Sequence, residues 1–354
     1  MHIDVFCHVI DNFGDAGVCL RLSRDLVRHG HGVRLFCSDP GSLSAIGRGA
    51  GGFELLSFDL LDAYSGSGTD LVICGFSYRL PDNVAEDLHS HGAVCINLEY
   101  LSCEPWVAEF HGRQSLGARP RTWFYFPGFT TDSGGVIIED RVRARGTCTG
   151  PGTGQRRITL FSYENASMRG LMRMLAGSRV PSCVEVMGEL SAASVRSCLG
   201  MHQSGSPMEE WHGMTFIFRP MVTQPEYDDL LFRSDLNLVR GEDSLVRAML
   251  AGKPFLWQVY PQENNLHLHK LNCFIDLLIG MLDIDSSFAA LLRHYFLCYN
   301  DGCDDDGHFG SSAIYDDFER EYTGISQYLQ SMLLKQSSLT ERLLSFVNCR
   351  SRAG

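Results

Sequence analysis

The chain has 354 residues, 44% hydrophobic and 20% charged, and a formal net charge of −12. That composition describes a soluble globular protein of two domains, at roughly 150 residues each, and argues against a nucleic-acid backbone as the main partner. No apolar run reaches the length of a membrane span, the polar N-terminus does not read as a signal peptide, and thirteen cysteines without a C-x-x-C pair suit reduced thiols in a cytoplasm.

Residues 3–10 are apolar enough for a buried parallel strand, and residues 18–27 carry apolar side chains at helical spacing. Between them lies Asp11-Asn12-Phe13-Gly14-Asp15-Ala16-Gly17, at the carboxyl end of a first strand, where open α/β sheets bind ligands. Gly14 and Gly17 bring the backbone close to whatever binds, and the two carboxylates stand four residues apart. Carboxylates repel phosphate, so the turn fits a cation or a hydroxyl rather than a nucleotide. Equally, Asp15 caps the helix and Asn12 turns the chain.

Residues 33–37, 70–76 and 93–98 read as further strands, with a short helix after Pro81. Polar and aromatic residues follow at Glu99-Tyr100 and Trp106, and again at Phe126-Pro127-Gly128-Phe129. They form either a surface for a protein partner or ordinary core. Repeated strand–helix units of this kind make a doubly wound domain. The expected division is 1–152 and 153–354, with Gly150-Pro151-Gly152 ending the linker. A second alternation begins with the strand at 158–163, a helix at 166–175 and a strand at 183–187. It continues with strands at 213–218 and 236–239 and a helix at 227–232. Two Rossmann-like α/β domains with ligand edges facing a cleft is the plan of the GT-B glycosyltransferases.

In the second half Val239-Arg240-Gly241-Glu242-Asp243-Ser244 takes a buried strand through a glycine into a helix. Free N–H groups and the helix dipole there make an anion site, to which Ser244 adds a hydroxyl and Arg240 a charge. Glu242 and Asp243 oppose a phosphate, so they point away toward sugar hydroxyls or only complement the dipole. Downstream, Tyr260 and Gln262 stand at another strand end, within reach of a phosphate or sugar; alternatively Pro261 starts a helix. His267 and His269 fall on different helix faces and make a poor metal pair. Residues 301–307 fail the EF-hand template, since placing Gly307 sixth puts Gly302 first and Ala313 last, and read as a solvated acidic loop. Residues 325–347 read as a helix packing back across the domains.

Taken together, the motifs resemble those of the bacterial protein-arginine rhamnosyltransferases that modify elongation factor P, an inverting GT-B family using dTDP-L-rhamnose. The resemblance rests on residues 11–18, Ile96-Asn97-Leu98-Glu99-Tyr100-Leu101-Ser102, Phe126-Pro127-Gly128-Phe129-Thr130 with Gly134-Gly135, and Phe161-Ser162-Tyr163-Glu164-Asn165. Arg240-Gly241-Glu242-Asp243-Ser244 and Tyr260-Pro261-Gln262 complete it. It implies that Asp11 and Asp15 act at the acceptor arginine, with Asp15 as general base, and that Glu242 is a third essential carboxylate. It further implies that Arg240, Asp243, Ser244 and Tyr260 hold the nucleotide and its phosphates, while Phe161, Tyr163 and Gln224 enclose the thymidine. The chain departs from the family's pattern at Met221, where an aromatic is usual, and at Gln258, where a histidine is common. The implied co-substrate is dTDP-L-rhamnose, the acceptor is elongation factor P, and no cofactor or metal is required. A cytoplasmic monomer is expected, with no nucleic acid and no membrane as partner. Two rivals remain: a non-catalytic protein-binding module on the same scaffold, and a transferase for lipid or glycan. All three carboxylates are kept, against the first; no basic amphipathic helix marks the N-terminal domain, against membrane work.

Overall fold

The computed structural model describes residues 1–10, 13–47, 51–146, 154–201, 205–302 and 307–351. The chain forms two compact units, Met1–Arg143 with Gln336–Gly354, and Ala144–Lys335. Gln336–Gly354, which the division at residue 152 assigned to the C-terminal domain, thus belongs with the N-terminal residues. The proposed linker glycines and Pro151 lie outside the described residues.

The first unit runs β1 (His2–Cys7), α1 (Phe13–Arg28), β2 (Gly32–Cys37), α2 (Pro40–Ile46), β3 (Glu54–Ser57), β4 (Leu71–Gly75), α3 (Asp82–Ser90), β5 (Val94–Leu98), α4 (Val107–Phe110), β6 (Thr122–Tyr125) and α5 (Asp140–Arg145). Its sheet has the order β3-β2-β1-β4-β5-β6, parallel throughout. Such strands are covered on both faces and so read as continuous apolar runs; all five residues of β4 are buried. Phe6 stacks on Phe36 at 4.9 Å across the β1–β2 register and packs with Val72, Cys74 and Leu88. Each such fully buried side chain contributes roughly 1.5–3 kcal/mol. The chain winds outward from β1 to β3 and then returns to β4 on β1's other side, so the strand order reverses between β1 and β4. That reversal opens a crevice at the carboxyl ends of the strands.

The second unit repeats the plan with β7 (Arg156–Leu160), α6 (Met168–Ala176), β8 (Ser182–Met187), α7 (Glu189–Leu199), β9 (Met208–Trp211), β10 (Met214–Arg219), α8 (Gln224–Arg233), β11 (Leu236–Arg240), α9 (Gly241–Ala251), β12 (Phe255–Gln258), α10 (Leu266–Leu282), α11 (Ser286–Asn300) and α12 (Ser312–Leu334). The sheet order is β12-β11-β7-β8-β10-β9; only the edge strand β9 is antiparallel, in a hairpin with β10. Here the order reverses between β7 and β11. Arg247 of α9 grips Asp228 of α8 through Nε and Nη2, at 3.0 and 2.9 Å, both side chains buried. Removing one partner of such a pair strands a buried charge, at a cost of about 3–5 kcal/mol, so the pair fixes α9 against α8.

The helix read over residues 325–347 is two helices. α12 ends at Leu334, and α13 (Leu339–Ser351) starts afresh within the first unit. Ser338 and Glu341 form a capping box, Ser338 N–H donating to Glu341 Oε2 (2.6 Å) and Glu341 N–H to Ser338 Oγ (3.2 Å). Leu339 N–H then donates to Val136 O, and Arg342 donates to the carbonyls of Thr130 and Ser133.

On the amino-terminal side of β7, Arg156 pairs with Asp316 and Glu319 of α12 at 2.6 and 2.7 Å. Burial raises the Glu319 carboxyl to about 7, with Arg156 opposing the shift. The folded chain therefore holds that proton more firmly than the unfolded chain, whose carboxyl titrates near 4.5. Stability from this group is fullest below that pH and falls as pH rises toward 7. Unfolding midpoints in urea should thus decline more steeply from pH 5 to 7 in the wild type than in Glu319→Gln; parallel curves would show the carboxyl is not so perturbed.

Candidate active site

α1 begins at Phe13, so Gly14, Asp15 and Gly17 lie inside its first turns rather than in a preceding loop. Asp15 is 2% exposed, and its Oδ2 accepts the Ile10 N–H at 3.0 Å. The carboxylate thus reaches back to fix the loop after β1, which is a different bond from capping α1, and it stands at the β1–β4 crevice. Asp11 lies outside the described residues. At the same sheet edge, β4 is followed by Phe76 and Ser77, both left-handed with φ of 57° and 58°. Two successive non-glycine residues in that region store strain of the sort concentrated at functional sites. The bend aims Ser77 Oγ at Glu99 Oε2 (2.8 Å), while Asn97 Nδ2 donates to Glu99 Oε1 (2.6 Å). Burial raises the Glu99 carboxyl, and the Ser77 bond opposes that rise.

The aromatic residues beside this edge divide. Phe126 and Phe129 are core, whereas Tyr100, Trp106 and Phe110 are exposed. Tyr100 stacks on Phe76 at 4.6 Å, and Trp106 meets Phe126 edge-on at 5.4 Å. His111 accepts the Phe126 N–H at 3.1 Å, and burial beside Arg342 and Arg350 pulls its pKa down to about 4. It is therefore neutral near pH 7, as an acceptor must be.

In the second unit one edge gathers the ends of β7, β8, β10, β11 and β12. Arg240 closes β11 and serves as the N-cap of α9, with φ −125° and ψ 161°. Its guanidinium lies 4.4 Å from the ring centres of both Phe161 and Tyr163. Arg240 is buried, and no carboxylate among the described residues pairs with it. Glu242, Asp243 and Ser244 occupy the first turn of α9. Lys270 Nζ of α10 meets Glu242 Oε1 at 2.6 Å. Gly241 holds a φ of +65°, and its carbonyl accepts the Trp257 indole N–H at 2.9 Å.

Tyr260 is 55% exposed and meets Tyr163 edge-on at 5.3 Å. Pro261 does not start a helix; α10 begins at Leu266 after a short 3-10 turn at Glu263–Asn265. Gln262 is exposed, and its N–H donates to His267 Nδ1 at 3.3 Å, which gives that histidine a local role. Gln224 is buried in the first turn of α8, behind the Thr223–Glu226 capping box. Phe161 also meets Tyr227 at 5.7 Å. Met221 lies where the ends of β8 and β10 converge. A Cβ on Gly188 would come 2.8 Å from Met221 Sδ and 3.9 Å from Phe161, so both side chains border that glycine. No group of metal-ligating side chains occurs among the described residues, and residues 303–306 of the acidic loop lie outside them.

The sequence reading missed Lys270, Trp257 and Tyr227. Each acts on this edge from a different segment, and no local pattern marks them. Gln258 was noticed only as a departure from a resemblance.

Two parallel-sheet domains, with a cation and a helix N-terminus at the switch point of the second, define a GT-B glycosyltransferase. Solved structures share that fold. The chain matches VinC, a glycosyltransferase in complex with dTDP, at TM-score 0.54 and 13% identity over 99% of this chain and 100% of that one. It matches a structure of EarP-mediated arginine glycosylation of translation elongation factor EF-P at TM-score 0.65 and 24% identity, over 98% and 99%. Residues 3–348 match the family model described as elongation-factor P (EF-P) rhamnosyltransferase EarP, and the chain belongs to that family. The protein-arginine rhamnosyltransferase of Pseudomonas aeruginosa is 34% identical over 329 residues, 84% of this chain and 87% of that relative. That of Neisseria meningitidis is 32% identical over 302 residues, 77% of each. The chain is accordingly a protein-arginine rhamnosyltransferase.

Replacing Gly241 by alanine leaves its β-carbon in ordinary contact, 3.5 Å from the Tyr163 hydroxyl, so only the positive φ opposes it. Gly241→Ala should lower unfolding free energy by about 1–2 kcal/mol, read by urea denaturation. No loss would mean the turn relaxes freely.

Proposed function

We propose that the enzyme transfers L-rhamnose from dTDP-L-rhamnose to one arginine of elongation factor P, with inversion at the sugar carbon. The observation that carries this reading is the buried Arg240 guanidinium, unpaired by any described carboxylate and set at the N-terminus of α9. A diphosphate is the complementary ligand: Arg240 meets its charge, and the first N–H groups of α9 and the Ser244 hydroxyl add donors. Phe161 and Tyr163, with Gln224 and Met221 nearby, then line the base and sugar of the nucleoside. Tyr260 and Gln262 flank the phosphates from the exposed side.

The acceptor side carries the opposite charge. A guanidinium has a pKa above 12, so its neutral fraction near pH 7 is on the order of one in 10⁵ or less. Asp15, with Asp11, holds the cation and takes its proton as the new N–C bond forms. Glu242 acts on the donor side, toward the sugar. Base and leaving group stand on opposite faces of the sugar carbon, which requires inversion. Because Arg240 and the helix N–H groups meet the charge of the departing dTDP, the transfer needs no divalent metal. Tyr100, Trp106 and Phe110 offer more apolar contact than one arginine side chain needs, which suits a folded acceptor protein. The reading places the enzyme in the cytoplasm as a monomer, without nucleic acid or membrane.

Incubation with dTDP-L-rhamnose and elongation factor P, followed by intact mass measurement, tests this directly. One added rhamnosyl mass, unaffected by EDTA, is expected; no transfer, or strict metal dependence, overturns the reading. Asp15→Ala should cut turnover by at least ~10²-fold while dTDP binding stays near normal. Equal losses in both would make Asp15 a structural acid. An acceptor peptide carrying the same arginine loop should have lower kcat/KM than the intact protein, because remote contacts position the guanidinium. Equal values would place all recognition at the loop.

A further inference from the structure

The side chain of Gln258 is buried at the end of β12, in register with Arg240 of β11. β11 separates β12 from β7 in the sheet. Gln258 nevertheless bonds the segment after β7 at two points. Its Oε1 accepts the Tyr163 N–H at 2.9 Å, and its Nε2 donates to the Glu164 carbonyl at 3.1 Å. The bridge therefore passes over the end of the strand that carries Arg240, fixing Tyr163, one of the two residues whose rings lie against that cation. Its own backbone is held in turn: Asn300 of α11 donates to Trp257 O (2.8 Å) and accepts the Val259 N–H (2.9 Å). Trp257 reaches Gly241 O from the same strand end.

The geometry points to Gln258 as a positioning residue for nucleotide binding, an amide clamp that sets Tyr163 and Phe161 around Arg240. It touches no ligand in this scheme and acts through the Tyr163–Glu164 peptide. The inference rests on the proposal that this edge binds dTDP. An amide supplies an acceptor and a donor at once, at every pH. A neutral imidazole can do the same in one tautomer, but a protonated one has two donors and would confront the Tyr163 N–H. The charged and titratable side chains around the position are Arg240 in register on β11, with Glu164, Tyr163 and Tyr260; α11 contributes the neutral amide of Asn300. The nearby cation and burial both favour the neutral ring, so an imidazole here keeps the clamp near neutral pH and above.

The test compares the full-length wild type, Gln258→Leu and Gln258→His by two readouts. Hydrogen exchange at the Tyr163 amide, without ligand, reports the clamp; calorimetric titration with dTDP reports its consequence. Gln258→Leu should speed exchange at Tyr163 and weaken dTDP binding, each about tenfold, since two buried hydrogen bonds are lost. Gln258→His should bind dTDP nearly as wild type at about pH 8, where the ring is neutral, and so rescue the loss seen in Gln258→Leu. Unchanged Tyr163 exchange in Gln258→Leu overturns the clamp. Faster exchange with unchanged dTDP affinity overturns the positioning role, as does a histidine variant that binds dTDP no better than Gln258→Leu at about pH 8. A wild type that does not bind dTDP removes the donor reading and this role together, while exchange still reports the clamp separately.

Discussion

The donor edge depends on one buried cation. The guanidinium of Arg240, 4.4 Å from two aromatic ring centres, has left water without an ion-pair partner among the described residues. Ring faces return part of that cost, about 0.5–2 kcal/mol each when desolvated. The remainder must come from the rigidity of what holds it. Arg240 belongs to a buried strand between β7 and β12, and α9 behind it is locked by the Arg247–Asp228 pair. Trp257 and Gln258 then tie the ends of the three strands together. The site is thus preorganised, with its charge set before any ligand arrives.

The two units use the same topology for opposite electrostatics. At the reversal of strand order in the first, the α1 N-terminus carries a carboxylate that reaches back to the loop before it. At the same point in the second, the α9 N-terminus follows an arginine. In the proposed transfer, a cationic nucleophile calls for the first arrangement and an anionic leaving group for the second. The net charge of −12 bears on neither, because each edge is governed by groups within a few ångströms.

What was legible in the sequence follows from distance along the chain. Parallel strands buried on both faces appear as apolar runs, so β1, β4, β5, β7 and β11 could be read from composition alone. β3 and β9 could not: they are four residues long, partly exposed, and contain Glu54 or Glu209 and Glu210. The division into α12 and α13 was written in Ser338 and Glu341, but the apolar period on either side masked it. Around the candidate site, residues contiguous with a strand end, such as Tyr163, Arg240 and Ser244, could be named from the sequence. Lys270 and Trp257 could not, because each reaches the site from 28 and 16 residues away through a side chain that has no motif. Asp15 was read in a turn but lies in α1, since a helix beginning at Phe13 includes both glycines of what looked like a turn.

The acids at the start of α9 pose the sharpest conflict in the sequence, since an anion site ought not to carry Glu242 and Asp243. A carboxylate in a helix's first turn gains about 0.3–1 kcal/mol from the dipole. Beside a diphosphate it would lose that and more to repulsion. Lys270 resolves the conflict for Glu242, because a 2.6 Å ion pair makes the two side chains together nearly neutral at longer range. The potential at the head of α9 is then left to its N–H groups and to Arg240. Glu242 remains an acceptor even when paired, since a carboxylate has about four lone-pair sites, and a hydroxyl can use such an acceptor where a phosphate cannot. On the proposed donor reading, the pairing turns a liability into a sorting device: within one helical turn, cationic and neutral donors face the anion, while the acid paired with Lys270 serves sugar hydroxyls.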